Sequence, residues 1–158
     1  MAIAMNLSDA TSWFLSKQSM SPKKLQKMLY YAYSWGLVFL NEDPDNLDNK
    51  LFDTQFQAWV HGPVIPKTYT DYKGYGFKDI PKADSKSIER LKLDSEVEDI
   101  LNQVFEVYGE FSGNQLEALT HSEDPWKIAR KDCLPMDPST NLIDDRIIYN
   151  YYSSQIGA

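Results

Sequence analysis

Residue types that commonly bind metals or act as nucleophiles are scarce in this chain of 158 residues. It has two histidines, His61 and His121, and one cysteine, Cys133. A zinc site needs such ligands at close spacing, and these three are far apart in the sequence. Cys133 stands in a loop-like context with no histidine beside it to activate the thiol. We therefore predict neither a metal site nor a cysteine nucleophile.

Other patterns contain residue types that could bind a ligand or a metal, but they have simpler structural interpretations. The Gly74-Tyr-Gly76 sequence lacks the third glycine of a phosphate-binding loop and does not follow a predicted strand. His121, Glu123 and Asp124 could hold a metal ion, but they equally suit a helix end followed by the cap of the next helix. A hydrolase would need a pocket that brings a histidine against a carboxylate. We interpret the chain as a binding protein and not an enzyme, and expect no catalytic residue, cofactor or metal.

The most distinctive feature is an aromatic turn at residues 58–64, Ala-Trp-Val-His-Gly-Pro-Val. Glycine tolerates every backbone conformation and proline restricts the residue before it, so Gly62 and Pro63 fix the path of the chain. Two interpretations stay open: a packed corner between a strand and a helix, or a partner-facing loop held by a rigid scaffold. The residues predicted to bind a partner are Trp59, His61, Gly62, Pro63, Tyr69, Tyr72 and Trp126.

Hydrophobic periodicity predicts a mainly α (α+β) fold, a bundle of about six helices with one or two short β-strands around residues 51–60. The strongest signal is an apolar stripe that begins after the Ser21-Pro22 cap and ends near Asn41. We expect Gly62-Pro63 to break the strand pattern and residues 77–92 to form a surface loop. Four polar residues lie off the helical stripe: Lys23, Lys24, Lys27 and Ser34.

Capping residues indicate where the other helices begin. Ser112 and Gln115 match a capping box, and Asp124 precedes a proline that suits a first helical turn. The last helix is predicted over roughly residues 144–155, with Ile147, Ile148, Tyr151 and Tyr152 facing inward. The remaining starts are predicted at Ser8 or Asp9, at Pro66, and at Asp94 or Ser95.

The charge distribution argues against a nucleic-acid partner. The net charge is −7, and residues 94–158 alone carry thirteen acidic and four basic side chains, whereas binding to phosphates requires a basic face. Tyr30, Tyr31 and Tyr33 could offer a stacking platform for bases. The chain has only three arginines to interleave with such rings, so we favour a core helix and expect no nucleic acid to bind.

The sequence also favours a cytoplasmic location. One cysteine cannot form an internal disulfide. The apolar N-terminal stretch is short and lacks the basic flank of a secretion signal. No apolar run approaches the length of a membrane span, so we expect no membrane partner.

Three segments together resemble the Panacea domain family, which includes the SocA-like antitoxins and the GepA-like phage-associated proteins. They are residues 21–32 (SPKKLQKMLYYA), 56–64 (FQAWVHGPV) and 119–126 (LTHSEDPW). The resemblance extends from about residue 10 to residue 152 and implies a single Panacea-like domain over residues 1–158. The positions that match the family are Leu25, Gln26, Lys27, Leu29, Tyr30, Ala58, Trp59, Gly62, Pro63, Val64, Thr120, Pro125 and Trp126.

The resemblance implies an antitoxin that neutralises a cognate protein toxin, encoded by an adjacent gene, through direct contact. An alternative is a phage- or host-associated adaptor without a toxin partner, which delivers a partner to an ATP-dependent protease or regulates that protease. The chain has His61 where an aromatic residue is common in the family. These matching positions define a scaffold and do not identify the surface that contacts the toxin.

Overall fold

Eight α-helices, a short 3-10 helix (Lys73–Tyr75) and one β-hairpin make up the computed structural model, which describes residues 2–156. The mainly α (α+β) class is confirmed. No helix of this part of the chain is both long and apolar enough to cross a membrane. The helices are α1 (Leu7–Lys17), α2 (Pro22–Leu40), α3 (Pro66–Tyr72), α4 (Lys86–Glu89), α5 (Ser95–Tyr108), α6 (Gly113–Ser122), α7 (Asp124–Ala129) and α8 (Asp145–Ser153), and the strands are β1 (Gln57–Trp59) and β2 (Gly62–Val64).

Helix α2 is the central element of the fold. It begins as predicted, because the Ser21 hydroxyl accepts a hydrogen bond from the backbone N–H of Lys24 and Pro22 occupies the first turn. Helices α1, α3, α5, α6 and α8 and strand β2 all pack against it. Fourteen of its nineteen residues are buried, so the helix is enclosed along most of its length. Lys24, Lys27 and Ser34, although off the apolar stripe, are therefore buried as well.

The tyrosines of α2 belong to the core, as predicted, because Tyr30, Tyr31 and Tyr33 are each at most 1% exposed. Their hydroxyls find partners inside the protein. Tyr31 donates to a carboxylate oxygen of Glu123 at 2.7 Å, and Tyr152 on α8 donates to the same oxygen at 2.8 Å. Burial raises the pKa of the Glu123 carboxyl, and the two tyrosine hydroxyls oppose that rise. One carboxylate thus joins α2 and α8 to the junction of α6 and α7.

The hairpin differs from the predicted strands. Strand β1 falls inside residues 51–60, but Gly62-Pro63 does not end the sheet: it forms β2, which pairs antiparallel with β1 and places Pro63 opposite Ala58. A proline is tolerated there because this two-stranded sheet leaves β2 without a further strand to receive its missing N–H. On its other side β1 is held by residues 141–143, since the N–H of Ala58 donates to the carbonyl of Asn141 at 2.8 Å.

Several helix boundaries also differ from those predicted. Helix α1 begins at Leu7 because Asn6, rather than Ser8 or Asp9, caps it. No side chain caps α7, so the proposed cap at Asp124 was wrong. Helix α8 begins at Asp145, next to the predicted start at residue 144, because the Asp144 side chain caps it.

The structure also differs from the prediction for residues 77–92 and for the buried residues of α8. The predicted surface loop at residues 77–92 contains helix α4 and a buried side chain, Ile80, whose N–H donates to the carbonyl of Met20 at 2.8 Å. Contacts with distant residues, among them this bond to Met20, attach the polar segment to the rest of the fold, and no local pattern could reveal them. On α8 Tyr149 is buried, whereas Ile147 and Tyr151 are only half-buried.

We predict that Tyr152→Phe lowers the free energy of unfolding by about 1–3 kcal/mol, because it removes one of the two hydroxyl donors to a half-buried carboxylate. Urea denaturation measures the change. Tyr151→Phe is the matched control: the neighbouring hydroxyl makes no hydrogen bond within residues 2–156, and we expect a change within about 0.5 kcal/mol. Equal effects of the two substitutions would show that the Glu123 contact contributes nothing.

Candidate partner-binding groove

A groove of about 590 Å³ runs beside the hairpin, and its lining is mostly apolar. We call it the hairpin groove. Its lining residues come from the start of α2, the hairpin, α3 with the turn that follows it, and residues 138–140. They are Pro22, Lys23, Gln26, Lys27, Trp59, Val60, His61, Val64, Tyr69, Lys73, Gly76, Phe77, Pro138, Ser139 and Thr140.

Three of the predicted partner-binding residues, Trp59, His61 and Tyr69, meet in this groove. The rings of Trp59 and Tyr69 pack edge to face with centroids 4.9 Å apart, which is a favourable aromatic geometry. The indole N–H of Trp59 donates to the side-chain carbonyl of Gln57 at 2.8 Å. Tyr69 remains 42% exposed. The two rings are held in position and still present apolar surface to a partner.

His61 belongs to a charged trio at the edge of the groove. Its Nδ1 lies 3.2 Å from one carboxylate oxygen of Glu117, and the Lys23 ammonium lies 2.6 Å from the other. Burial opposes ionisation of Glu117, but hydrogen bonds from Lys23 and His61 prevail and lower the pKa of its carboxyl. A hydrolase would use such a histidine–carboxylate pair to activate a nucleophile, yet no hydroxyl or thiol of residues 2–156 is hydrogen-bonded to His61. The trio fixes the position of an exposed imidazole.

Gln26 and Lys27 attach the hairpin to helix α2. The amide of Gln26 accepts from the N–H of Ile65 at 2.9 Å and donates to the carbonyl of the same residue at 3.2 Å. The Lys27 ammonium donates to the carbonyl of Pro63 at 3.3 Å. Burial lowers the pKa of Lys27 to about 7, an effect that nearby Glu117 opposes. The end of strand β2 is thus hydrogen-bonded to helix α2.

Gly62 and Pro63, also predicted to bind a partner, are buried in this attachment. Gly62 has a φ of +113°, which L side chains rarely adopt. A Cβ there would lie 2.6 Å from Cε of Lys27. Both residues therefore support the groove without being exposed in it. Their burial fits the interpretation of the turn as a packed corner.

The last two predicted residues lie outside the groove lining. Trp126 sits behind the hairpin, where its indole N–H donates to the carbonyl of Trp59 at 2.8 Å and its ring stacks on His121 at 3.9 Å. Tyr72 is half-buried against the core. Trp126 thus positions Trp59, and Tyr72 is placed for packing.

Sequence reasoning missed several residues that form the groove, among them Lys73, Phe77 and Arg130. Phe77 lines the groove and is 97% exposed; a lone aromatic in a segment rich in Lys and Asp was the signal. Arg130 is buried and donates to the carbonyls of Ala58 at 3.0 Å and Asp137 at 2.8 Å. It joins the hairpin to the segment that supplies the 138–140 wall, and nothing in its local sequence indicates this role.

Residues 25–127 match the family described as Antitoxin SocA-like, Panacea domain. The chain belongs to this family. The matched region begins in α2, contains the whole hairpin and ends in α7, so it covers the attachment made by Gln26 and Lys27 but not the 138–140 wall of the groove.

A curated relative supports the same family. Antitoxin SocA of Caulobacter vibrioides (strain NA1000 / CB15N) is 29% identical over 145 residues, which cover 83% of this chain and 71% of that protein. No solved structure is significantly similar to the chain.

Three glycine substitutions separate backbone strain from close contact. We expect Gly62→Ala to cost about 3 kcal/mol of unfolding free energy, because it combines a positive φ with the Lys27 contact. Gly76→Ala shares the positive φ but has open space around it, so about 1 kcal/mol is expected. Gly74→Ala has neither feature and should be nearly neutral. Thermal or urea unfolding measures the loss of stability in the three variants. If Gly62→Ala loses no more unfolding free energy than Gly76→Ala, the close contact with Lys27 is refuted.

Lys27 should make stability depend on pH. Between its folded pKa of about 7 and its ordinary value of 10.5, the folded chain has released a proton that the unfolded chain still holds. The free energy of unfolding should therefore rise with pH across this window, by at most about 1.4 kcal/mol per pH unit. Unfolding measured across this range in the wild type and Lys27→Met isolates the effect, and Lys86→Met, at an exposed lysine of α4, is the control. Parallel curves for the wild type and Lys27→Met would contradict this assignment.

Proposed function

We propose that the chain is an antitoxin that neutralises a cognate protein toxin by direct contact, and that the hairpin groove is the contacting surface. The observation that carries the proposal is the membership of residues 25–127 in the SocA-like antitoxin family, supported by the relative named Antitoxin SocA. The groove adds a surface with the composition of a binding site. We further propose that the chain acts by binding alone, in the cytoplasm, without catalysing a reaction.

The groove has the physical properties of an interface centre. Binding energy in protein complexes is concentrated in a few large side chains, chiefly aromatic, that fill pockets from which water is excluded. Trp59, Tyr69 and Phe77 are such side chains, and they stand around one concave surface. Trp59 is already fixed by its contacts with Gln57, Tyr69 and Trp126. Because little ordering remains to be done on binding, the association loses less conformational entropy.

Co-expression tests the proposal directly. The product of the adjacent gene is expressed with and without this chain, and growth of the host is followed. We expect the neighbouring product to arrest growth alone and the wild-type chain to restore it, with a stable complex recovered by size-exclusion chromatography. A neighbour that is harmless, or one that stays toxic beside this chain, would overturn the proposed function.

Substitutions at the groove should weaken neutralisation without unfolding the chain. We expect His61→Ala and Tyr69→Ala each to raise the toxin Kd by about tenfold or more, as the loss of a central contact does. Both side chains are substantially exposed, so the melting temperature should stay close to that of the wild type. Val107→Ala removes an exposed apolar side chain on α5, outside the groove, and serves as the control. Calorimetry gives the Kd values, and unchanged affinity in both groove variants would show that the toxin binds elsewhere.

A further inference from the structure

The charge of the hairpin groove is opposite to that of the protein as a whole. Its lining includes Lys23, Lys27 and Lys73 but no aspartate or glutamate, although the chain carries a net charge of −7. Glu117 neutralises Lys23 from outside the lining. Lys73 forms no ion pair within residues 2–156, so it gives the groove mouth an uncompensated positive charge. Lys27 adds a second cationic group, buried at the base, whose charge depends on pH near neutrality.

The mouth of the groove also bears the most exposed aromatic side chain described in the fold. Phe77 is 97% exposed and follows Gly76, whose φ of +60° turns the chain at this point. Tyr69, at 42% exposed, lines the same groove. Large exposed apolar side chains that line one groove mark an interaction site. An occupant must therefore present apolar groups to these rings and negative charge to Lys73.

We infer that the hairpin groove receives an apolar segment of the toxin that carries one or two carboxylates. This inference rests on the proposed function and adds the chemistry of the partner. The apolar side chains of the segment pack against Trp59, Tyr69 and Phe77. A carboxylate pairs with the Lys73 ammonium at the rim, where complementary charge chiefly sets the association rate and the choice of partner.

A nucleic acid fits these features less well, although bases also stack on aromatic rings. Single-stranded binding needs a row of cations along the backbone as well as open ring faces. The groove lining contains no arginine, Lys23 is already paired, and Lys27 is 1% exposed. One free ammonium is too few to follow successive phosphates.

A second apolar surface provides a matched comparison. Phe39 and Val107 are 44% and 59% exposed beside Trp35, on the face formed by α2 and α5. Its border is acidic, because Glu96 and Asp99 lie next to Phe39. The two surfaces are alike in exposed apolar groups and opposite in charge, so a carboxylate-bearing segment distinguishes between them.

Photo-crosslinking identifies the segment that occupies the groove. p-Benzoylphenylalanine is placed at position 77 of the full chain, and at position 107 as the control, and each protein is irradiated with the toxin. We expect a crosslink from position 77 alone, mapped by mass spectrometry to a toxin segment with apolar residues and at least one aspartate or glutamate. A segment rich in lysine or arginine, or a crosslink only from position 107, would overturn the inference.

Charge reversal tests the role of Lys73. We expect Lys73→Glu to raise the toxin Kd by tenfold or more at low salt and by less at high salt, and Lys86→Glu to have no effect. Replacing the crosslinked toxin carboxylate with lysine should restore binding to Lys73→Glu. Phe77→Ser should also weaken binding, with a salt dependence like that of the wild type.

The two proposals fail in different ways. If the wild type neutralises the toxin while Lys73→Glu and Phe77→Ser bind as tightly as it does, the inference falls and the antitoxin role stands. If the wild type does not neutralise, the antitoxin role falls and the inference falls with it. An oligothymidylate that binds the groove and competes with the toxin would also overturn the inference in favour of a nucleic-acid ligand.

Discussion

The fold depends on the burial of most of one helix that carries polar side chains. Because α2 is enclosed by its neighbours, each polar group on it must be paired inside the protein or lower the stability. Gln26 and Lys27 are paired with the backbone of residues 63–65, and Lys24 donates to the carbonyl of Gly109 at 2.6 Å. Burial lowers the pKa of Lys24 as it does that of Lys27. These contacts secure the hairpin and the end of α5 at defined points along α2.

The groove follows from this requirement. The hairpin is too short to be stable alone, so its shape depends on what holds it: α2 on one side, Trp126 and Arg130 on the other. Arg130 places its guanidinium against the carbonyl of Ala58 and simultaneously against that of Asp137. The same cation therefore fixes both the hairpin and the segment that forms the opposite wall. A concave surface results whose shape is set by buried hydrogen bonds rather than by its own exposed residues.

Sequence reasoning succeeded where the determinants are local. The caps at Ser21 and Ser112 and the apolar period of α2 depend on residues within a few positions of each other. It failed where a distant element decides. The burial of Lys27 depends on Pro63, and the second strand depends on the support of α2. Periodicity measures only the polarity of a residue, so it could not show that a lysine would be enclosed.

The candidate site shows the same difference between residues with local signals and residues placed by distant contacts. Trp59 and His61 were identified because they flank a recognisable turn, whereas Phe77 and Lys73 reach the groove only through the fold. The positions that resemble the Panacea family are largely buried, as Gln26 and Lys27 show, and they hold the hairpin in place. The rim at Lys73, Phe77 and residues 138–140 has no comparable part in that attachment. A scaffold fixed by buried contacts can accept substitutions at such a rim with little loss of stability. This separation gives a physical route by which one scaffold can carry rims of different composition.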